Sequence, residues 1–199
     1  NFHSNVDKHV IYNPIDSNEL DLLANEKIMP IEGSYIIHVG RFNRAKRHDR
    51  LLDAFARTNT NTKLLLLGNG KLEEQIKQQI INLNIQERVI IAGFKSNPYP
   101  YLKASKGLVL TSDFEGLPMV LLEAQSLGVP ILRTDCSAGI REAVGDDYPG
   151  LMPLNDLSAI AGYIEDMLVN PSIYMKAMTD DFNPKKIAYQ YDQLNYFTN

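Results

Sequence analysis

Two cations lie just after a glycine that ends an apolar stretch. Arg41 follows Gly40 directly, and Lys46 stands five positions further on, where a helical pattern begins. Both side chains could converge on one anion, and the free N–H groups of a helix start favour negative charge as well. The pattern therefore favours a phosphate or diphosphate ligand. Arg44 or Arg47 could take part instead, and all four could also be ordinary solvated cations.

Two glutamates form a second candidate group. Glu115 follows the apolar run 107–110, and Glu123 stands eight positions later among leucines and alanine. A carboxylate in apolar surroundings is costly unless it accepts hydrogen bonds, and the paired hydroxyls of a ribose would supply them. The simpler alternatives are a glutamate at the edge of a helix for Glu123 and a favourable charge before a helix start for Glu115.

Two further loops carry weaker signals. Residues 67–70 read Leu-Gly-Asn-Gly, which resembles the start of a dinucleotide fingerprint but lacks its third glycine, so that a tight turn is the better interpretation. Gly93, Phe94 and Lys95 could offer a ring and backbone amides to a planar base, or form a plain turn. His38 is expected in the core, whereas His48 is expected to be solvated.

The elements that must position these residues alternate between strands and helices. Strands are predicted at 10–12, 35–39, 63–67, 89–92, 107–110 and 130–133, with a weaker one near 150–152. Helices are predicted at 48–57, 71–84, 118–127, 157–169 and 184–196. Continuous apolar strands separated by amphipathic helices are typical of a parallel sheet covered on both faces. Residues 1–199 are therefore expected to form one α/β domain, a Rossmann-like doubly wound sheet.

Composition narrows the function classes. Apolar residues make up 44% of the 199 residues, which excludes a disordered chain, and the net charge of −4 disfavours a nucleic-acid partner. The single cysteine, Cys136, permits neither an internal disulfide nor a zinc site built from cysteines, so a reducing, cytoplasmic location is expected. The apolar runs are too short to cross a bilayer, and no secretory leader is recognised.

In their order along the chain these motifs match one family. The chain resembles the C-terminal, donor-nucleotide-binding half of a GT-B-fold retaining glycosyltransferase of family GT4, from about Ile11 to Leu151. The matching segments are Gly40-Arg41 with Lys46, 67–70, Gly93 with 101–105, Thr111-Ser112, Glu115 with Glu123, 128–130, 136–142 and 150–151. Two departures stand out: Arg47 replaces a glycine often found after the lysine, and Ala138 interrupts a frequent proline or glycine pair.

The resemblance implies a role for each candidate. Arg41 and Lys46 would hold the diphosphate of a nucleotide-diphosphate sugar, most commonly a UDP-sugar, and Glu115 would lie beside the sugar as the third catalytic residue. Glu123 would bind the ribose. The full implied donor site is Gly40, Arg41, Lys46, Phe94, Lys95, Glu115, Gly116, Leu117, Pro118, Met119, Val120 and Glu123. Since no Asp-x-Asp motif occurs, neither a metal nor another cofactor is expected.

The resemblance also implies a partner. An N-terminal acceptor-binding domain would precede the predicted strand 10–12 in the same polypeptide, and without it the chain is expected not to transfer sugar. That domain could bring the enzyme to the inner face of a membrane. Tyr189, Tyr191, Tyr196 and Phe197 would form apolar surface that the domain covers. The alternative is a non-catalytic nucleotide-sugar-binding module on the same fold.

Overall fold

A computed structural model describes residues 9–136, 141 and 144–196 of the chain. Its centre is a sheet of six strands, all parallel, in the spatial order β3-β2-β1-β4-β5-β6. The strands are β1 Tyr35–Val39, β2 Lys63–Leu67, β3 Val89–Gly93, β4 Leu108–Leu110, β5 Ile131–Thr134 and β6 Leu151–Met152. The predicted doubly wound α/β fold is confirmed.

The described part of the chain forms seven α-helices of five residues or more. They are α1 Ser17–Ala24, α2 His48–Phe55, α3 Glu73–Asn82, α4 Tyr99–Lys103, α5 Met119–Ser126, α6 Leu157–Val169 and α7 Pro184–Tyr196. Asp16 caps α1, because its Oδ1 accepts the N–H groups of Asn18 at 3.0 Å and Glu19 at 3.2 Å. Asp156 caps α6 in the same way through the N–H of Ala159 at 2.9 Å.

The sheet is buried on both faces, which explains its continuous apolar strands. Leu64, Leu65 and Leu66 are all fully buried, yet successive side chains point to opposite faces. Leu64 and Leu66 belong to the core under α2 and α6, whereas Leu65 belongs to the core under α4 and α5. The two apolar layers hold the strand ends in fixed positions.

The structure departs from the sequence predictions at one predicted strand and at two helices. No strand forms at 10–12, so the predicted hinge strand is wrong; there the Tyr12 ring packs 5.1 Å from that of Phe182. Helices α1 and α4 were not predicted, because α4 has only 5 residues and Leu22 of α1 is 75% exposed, which breaks the apolar periodicity. Residues 137–140, 142 and Phe197 of the resemblance, with the side chain of Tyr196, lie outside the described residues.

The strand order places one crevice at the centre of the sheet. The chain runs outward from β1 to β2 and β3, then crosses back to β4 on the other side of β1. The connections after β1 and β4 therefore leave on opposite sides of the same gap. In open parallel sheets ligands bind at this switch point, beyond the carboxyl ends of the strands.

Candidate active site

An ion pair spans this gap between the loops that follow β1 and β4. Lys46 ends a short 3-10 turn, Arg44–Lys46, that Asn43 caps by accepting the Lys46 N–H at 3.2 Å. The Lys46 Nζ lies 2.5 Å from the Glu115 Oε1, and their side chains are 20% and 11% exposed. The Ser112 hydroxyl donates to the same oxygen at 2.6 Å. Two predicted catalytic residues, distant in sequence, are thus in contact.

Arg41 faces a large cavity beside that pair. The cavity measures about 840 Å³ and is lined by residues 39–43, 67–71, 94–96 and Pro98. Its charged lining residues are Arg41, Lys71 and Lys95, all cations. An anion entering the cavity therefore meets positive charge from three strand ends. Lys71 was not predicted, although its place directly after Gly70 at the end of β2 could have indicated it.

Glycines let the loops after β1 and β2 approach backbone to backbone. The Gly40 N–H donates to the Leu67 carbonyl at 3.0 Å, and the Phe42 N–H donates to the Asn69 carbonyl at 2.8 Å. Gly68 has φ +145°, and a Cβ there would lie 1.9 Å from the Gly40 carbonyl oxygen. The Gly-Asn-Gly segment therefore serves as a tight turn against the loop of Arg41, as the sequence interpretation favoured.

Glu123 lies on α5, the helix that Pro118 precedes. It is half-buried, and the Tyr99 hydroxyl donates to its Oε1 at 3.4 Å. Burial raises the pKa of Glu123, while the hydrogen bond from Tyr99 lowers it by less. A carboxylate in this state gains from further hydrogen-bond donors. Tyr99 belongs to α4. That helix has only 5 residues and no detectable helical periodicity, so no sequence pattern indicates this contact.

The segment between the two glutamates presents a helix start. Pro118 is buried and precedes α5, whose first residues, Met119 and Val120, are half-buried. The Pro118 side chain carries no hydrogen-bonding group and so does not cap the helix. The first N–H groups of a helix have no partner within the helix itself. Gly116 is exposed and Leu117 is half-buried. Phe94 stands at the other end of the site, 69% exposed.

Two histidines lie buried behind the loop of Lys46. His38 Nδ1 bonds the Val109 carbonyl at 2.8 Å, and its ring centroid lies 4.5 Å from that of His48, which also meets the Phe42 ring edge-on at 4.9 Å. Burial lowers the pKa of His38 to about 4 and that of His48 to about 3. His38 is a core residue as expected, whereas the expectation that His48 is solvated is wrong, since it is 2% exposed.

A fully buried arginine, Arg133 of β5, was not predicted at all. Its Nη2 donates to the Thr134 carbonyl at 2.9 Å and to the Cys136 Sγ at 3.3 Å, while Nη1 has no partner. Burial lowers the pKa of Arg133 to about 10, and the charges of Cys136 and Glu115 oppose that shift. The one available signal is an arginine that directly follows the apolar run 129–132 and ends the predicted strand 130–133.

The described residues form neither a cluster of metal ligands nor a membrane-spanning helix. Within 9–136, 141 and 144–196, no three His, Cys, Asp or Glu side chains come together as metal ligands would. None of the helices formed by those residues combines the length and the apolar character that a membrane crossing requires.

Comparison with known proteins gives consistent matches. The family described as "Glycosyl transferases group 1" matches residues 25–182. A relative in Campylobacter jejuni, N-acetylgalactosamine-N,N'-diacetylbacillosaminyl-diphospho-undecaprenol 4-alpha-N-acetylgalactosaminyltransferase, is 33% identical over 94% of this chain and 52% of its own length. The lipopolysaccharide 1,6-galactosyltransferase of Salmonella typhimurium is 32% identical over 97% of this chain and 54% of its own length. The chain thus spans about half the length of these curated relatives.

Solved structures share the fold. The apo form of the lipopolysaccharide outer core galactosyltransferase WaaB superimposes with a TM-score of 0.73 at 25% identity, over 96% of this chain and 56% of WaaB. Anabaena Alr3699/HepE in complex with UDP and glucose gives a TM-score of 0.77 at 21% identity, over 95% of this chain and 57% of HepE.

Proposed function

Because this chain belongs to the group 1 glycosyl transferases, we propose that it is the donor-binding half of a retaining, GT4-type glycosyltransferase. The enzyme moves a sugar from a nucleotide-diphosphate sugar, in our proposal a UDP-sugar, to a glycan or lipid-linked acceptor. The observation that carries the proposal is the Lys46–Glu115 pair at the switch point, beside a cavity whose charged lining residues are all cations.

The cations supply the chemistry of the leaving group. As the bond between the sugar and the diphosphate breaks, its electron pair passes to the phosphate oxygen, and Arg41 and Lys46 stabilise the added negative charge. The half-buried position of Lys46, 20% exposed, strengthens that stabilisation relative to a fully solvated cation. The amides at the start of α5, four residues after Glu115, favour negative charge near them as well. These residues supply the stabilisation without a metal ion.

The carboxylates bind hydroxyl groups of the donor. Lys46 and Ser112 hold Glu115 beside the cations that bind the diphosphate, and in our proposal its carboxylate binds a hydroxyl of the donor sugar. Glu123 accepts the two ribose hydroxyls, which supply the hydrogen bonds that its desolvated carboxylate lacks. The exposed ring of Phe94 and the backbone of Lys95 border the base.

The relatives suggest the substrate classes. The Campylobacter relative is named for a diphospho-undecaprenol acceptor and the Salmonella relative for lipopolysaccharide, which supports a lipid-linked or cell-surface glycan acceptor. The HepE structure contains UDP and glucose, which supports a UDP-sugar donor. We propose that an N-terminal domain of the same polypeptide binds the acceptor and carries any association with the cytoplasmic face of a membrane.

Calorimetric titration of this chain with UDP, UMP, uridine and GDP tests the proposal. UDP should bind, and UMP and uridine should bind more weakly in that order as phosphates are lost. Glu123→Ala should weaken UDP binding while circular dichroism stays unchanged, and Lys106→Met, which removes an exposed lysine at the opposite edge of the sheet, should change neither. Equal affinity for uridine and UDP would contradict the diphosphate site, and robust sugar transfer by this chain alone would contradict its role as one half.

A further inference from the structure

Arg47 adopts a backbone conformation that is unusual for its residue type. Its φ and ψ are both 51°, in the left-handed region, where it joins the 3-10 turn of Lys46 to α2. Residues other than glycine, asparagine and aspartate are disfavoured there, because the Cβ comes too close to the following carbonyl oxygen. An arginine in this conformation therefore calls for an explanation in the contacts of its side chain.

The guanidinium of Arg47 bridges two carboxylates, one at the start of α2 and one in the loop after β4. Nε and Nη2 donate to Asp49 on α2 at 3.0 and 2.9 Å, and Nη1 donates to both oxygens of Asp113 at 2.8 and 3.0 Å. Asp113 lies in the loop after β4, two residues before Glu115. One side chain next to Lys46 thus reaches the loop that carries the partner of Lys46.

A second arginine, the buried Arg50 of α2, also binds Asp113. The Arg50 Nη2 lies 2.5 Å from the Asp113 Oδ1, and its Nη1 donates to the Thr111 carbonyl at 2.7 Å. The Arg50 side chain is only 4% exposed, so this pair is shielded from solvent on one side. The backbone adds to the connection, since the Asp113 N–H donates to the Ala45 carbonyl at 2.9 Å.

We propose that Arg47, Asp113 and Arg50 form a clamp that positions Lys46 against Glu115 and thereby sets the affinity for the donor diphosphate. This inference rests on the proposed function. The three are positioning residues, because their contacts join α2 and the residue before it to the loop after β4. With Asp49 the cluster is electrically neutral, so it fixes the loops without competing for an anion.

The clamp is expected to matter more for position than for folding. The Arg47 and Asp113 side chains are 31% and 46% exposed, and partly solvated ion pairs add little to the free energy of unfolding. Glycine at position 47 would remove the conformational cost of the left-handed backbone. Arg47→Gly should therefore unfold at about the same temperature as the parent chain or slightly above it, while losing the bridge.

Titration of UDP into this chain and its variants tests the clamp. Arg47→Gly and Asp113→Asn should each lower the affinity for UDP by roughly tenfold, and the double variant should be little worse than either, since both remove the same connection. Lys77→Met, which breaks an exposed ion pair with Glu73 and Glu74 on α3, is the matched control and should bind UDP normally. Fully additive losses, or unchanged affinity in Arg47→Gly, would overturn the clamp.

Hydrogen exchange separates failure of the clamp from failure of the proposed function. In the absence of nucleotide, Arg47→Gly should speed amide exchange in residues 111–118 and leave β2 unchanged. If the parent chain binds no UDP, the proposed function fails and exchange alone decides the clamp. Unchanged exchange in 111–118 would then overturn it, and faster exchange confined to that loop would support it.

Discussion

Lys46 and Glu115 form an ion pair across the gap between two loops, with Nζ and Oε1 2.5 Å apart. A diphosphate that binds Lys46 must therefore compete with this carboxylate. The pair compensates both charges and holds the lysine in place. Bound donor would redistribute these contacts, which gives Glu115 an effect on nucleotide affinity that its distance in sequence does not suggest.

Removing either member of this pair should change UDP affinity in opposite directions. Lys46→Met should weaken UDP binding by about tenfold to a hundredfold, as expected for loss of a charged hydrogen bond. Glu115→Gln should bind UDP at least as tightly as the parent chain, because a neutral amide competes less for the lysine. Calorimetric titration measures both, with Lys106→Met as the control. Weaker binding in Glu115→Gln would show that the pair does not compete with the ligand.

The Glu123 carboxylate should lower the free energy of unfolding at neutral pH while it supports UDP binding. Because burial raises its pKa above 4.5 in the folded chain, ionisation at neutral pH costs folding free energy. Glu123→Gln should therefore raise the unfolding temperature at pH 7, and the gain should disappear as the pH falls below about 4.5. The same variant should bind UDP more weakly. Thermal unfolding at several pH values checks the first part, and a gain that persists in acid would contradict the assignment.

Acid should destabilise the protein through His38 and His48. Their pKa values of about 4 and 3 in the folded chain lie below the ordinary 6.5, so the unfolded chain binds more protons below that pH. Stability contributed by the neutral rings is present above pH 6.5 and is lost as the pH falls toward 4. His48→Phe should reduce the loss between pH 7 and 5, whereas His9→Asn, at an exposed position, should not. Denaturant titrations across that range measure both slopes.

Two glycines should differ sharply in their tolerance of alanine. A Cβ at Gly68 would lie 1.9 Å from the Gly40 carbonyl oxygen, whereas a Cβ at Gly93, with φ +71°, would meet nothing within 4 Å. Gly68→Ala should cost more than about 4 kcal/mol or prevent folding, and Gly93→Ala only the roughly 1–2 kcal/mol of left-handed strain. Denaturant unfolding of both variants compares them, and similar costs would show that the loops after β1 and β2 can separate freely.

The sequence predicts the sheet well because its strands are buried on both faces. Residues 63–67 form a strand with the predicted bounds, since leucines on both sides leave no amphipathic alternative. The short segment 10–12 is also continuously apolar, yet it forms no strand, and the Tyr12 ring packs on that of Phe182 instead. The local apolar pattern identifies segments that can form buried strands. It does not determine which of them pairs with another strand in the sheet.

The sequence pattern likewise indicates some residues of the candidate site and not others. Lys46 and Glu115 could be recognised because both follow strands whose ends must meet at the switch point. Tyr99 could not, since it reaches Glu123 from a helix of 5 residues that has no periodicity to detect. The bridge from Arg47 to Asp113 depends on the left-handed turn at Arg47, which favours glycine and gives arginine no sequence signature.

The sheet joins its two halves along a single seam. Strands β1, β2 and β3 come from the first part of the chain and β4, β5 and β6 from the second, and only β1 and β4 pair across the middle, through Ile37 and Leu108. Lys46 and Glu115 sit on opposite sides of that seam. Cutting the polypeptide between β3 and β4 would put one charge on each fragment, so the Lys46–Glu115 contact could form only where the two fragments reassemble across the β1–β4 pairing.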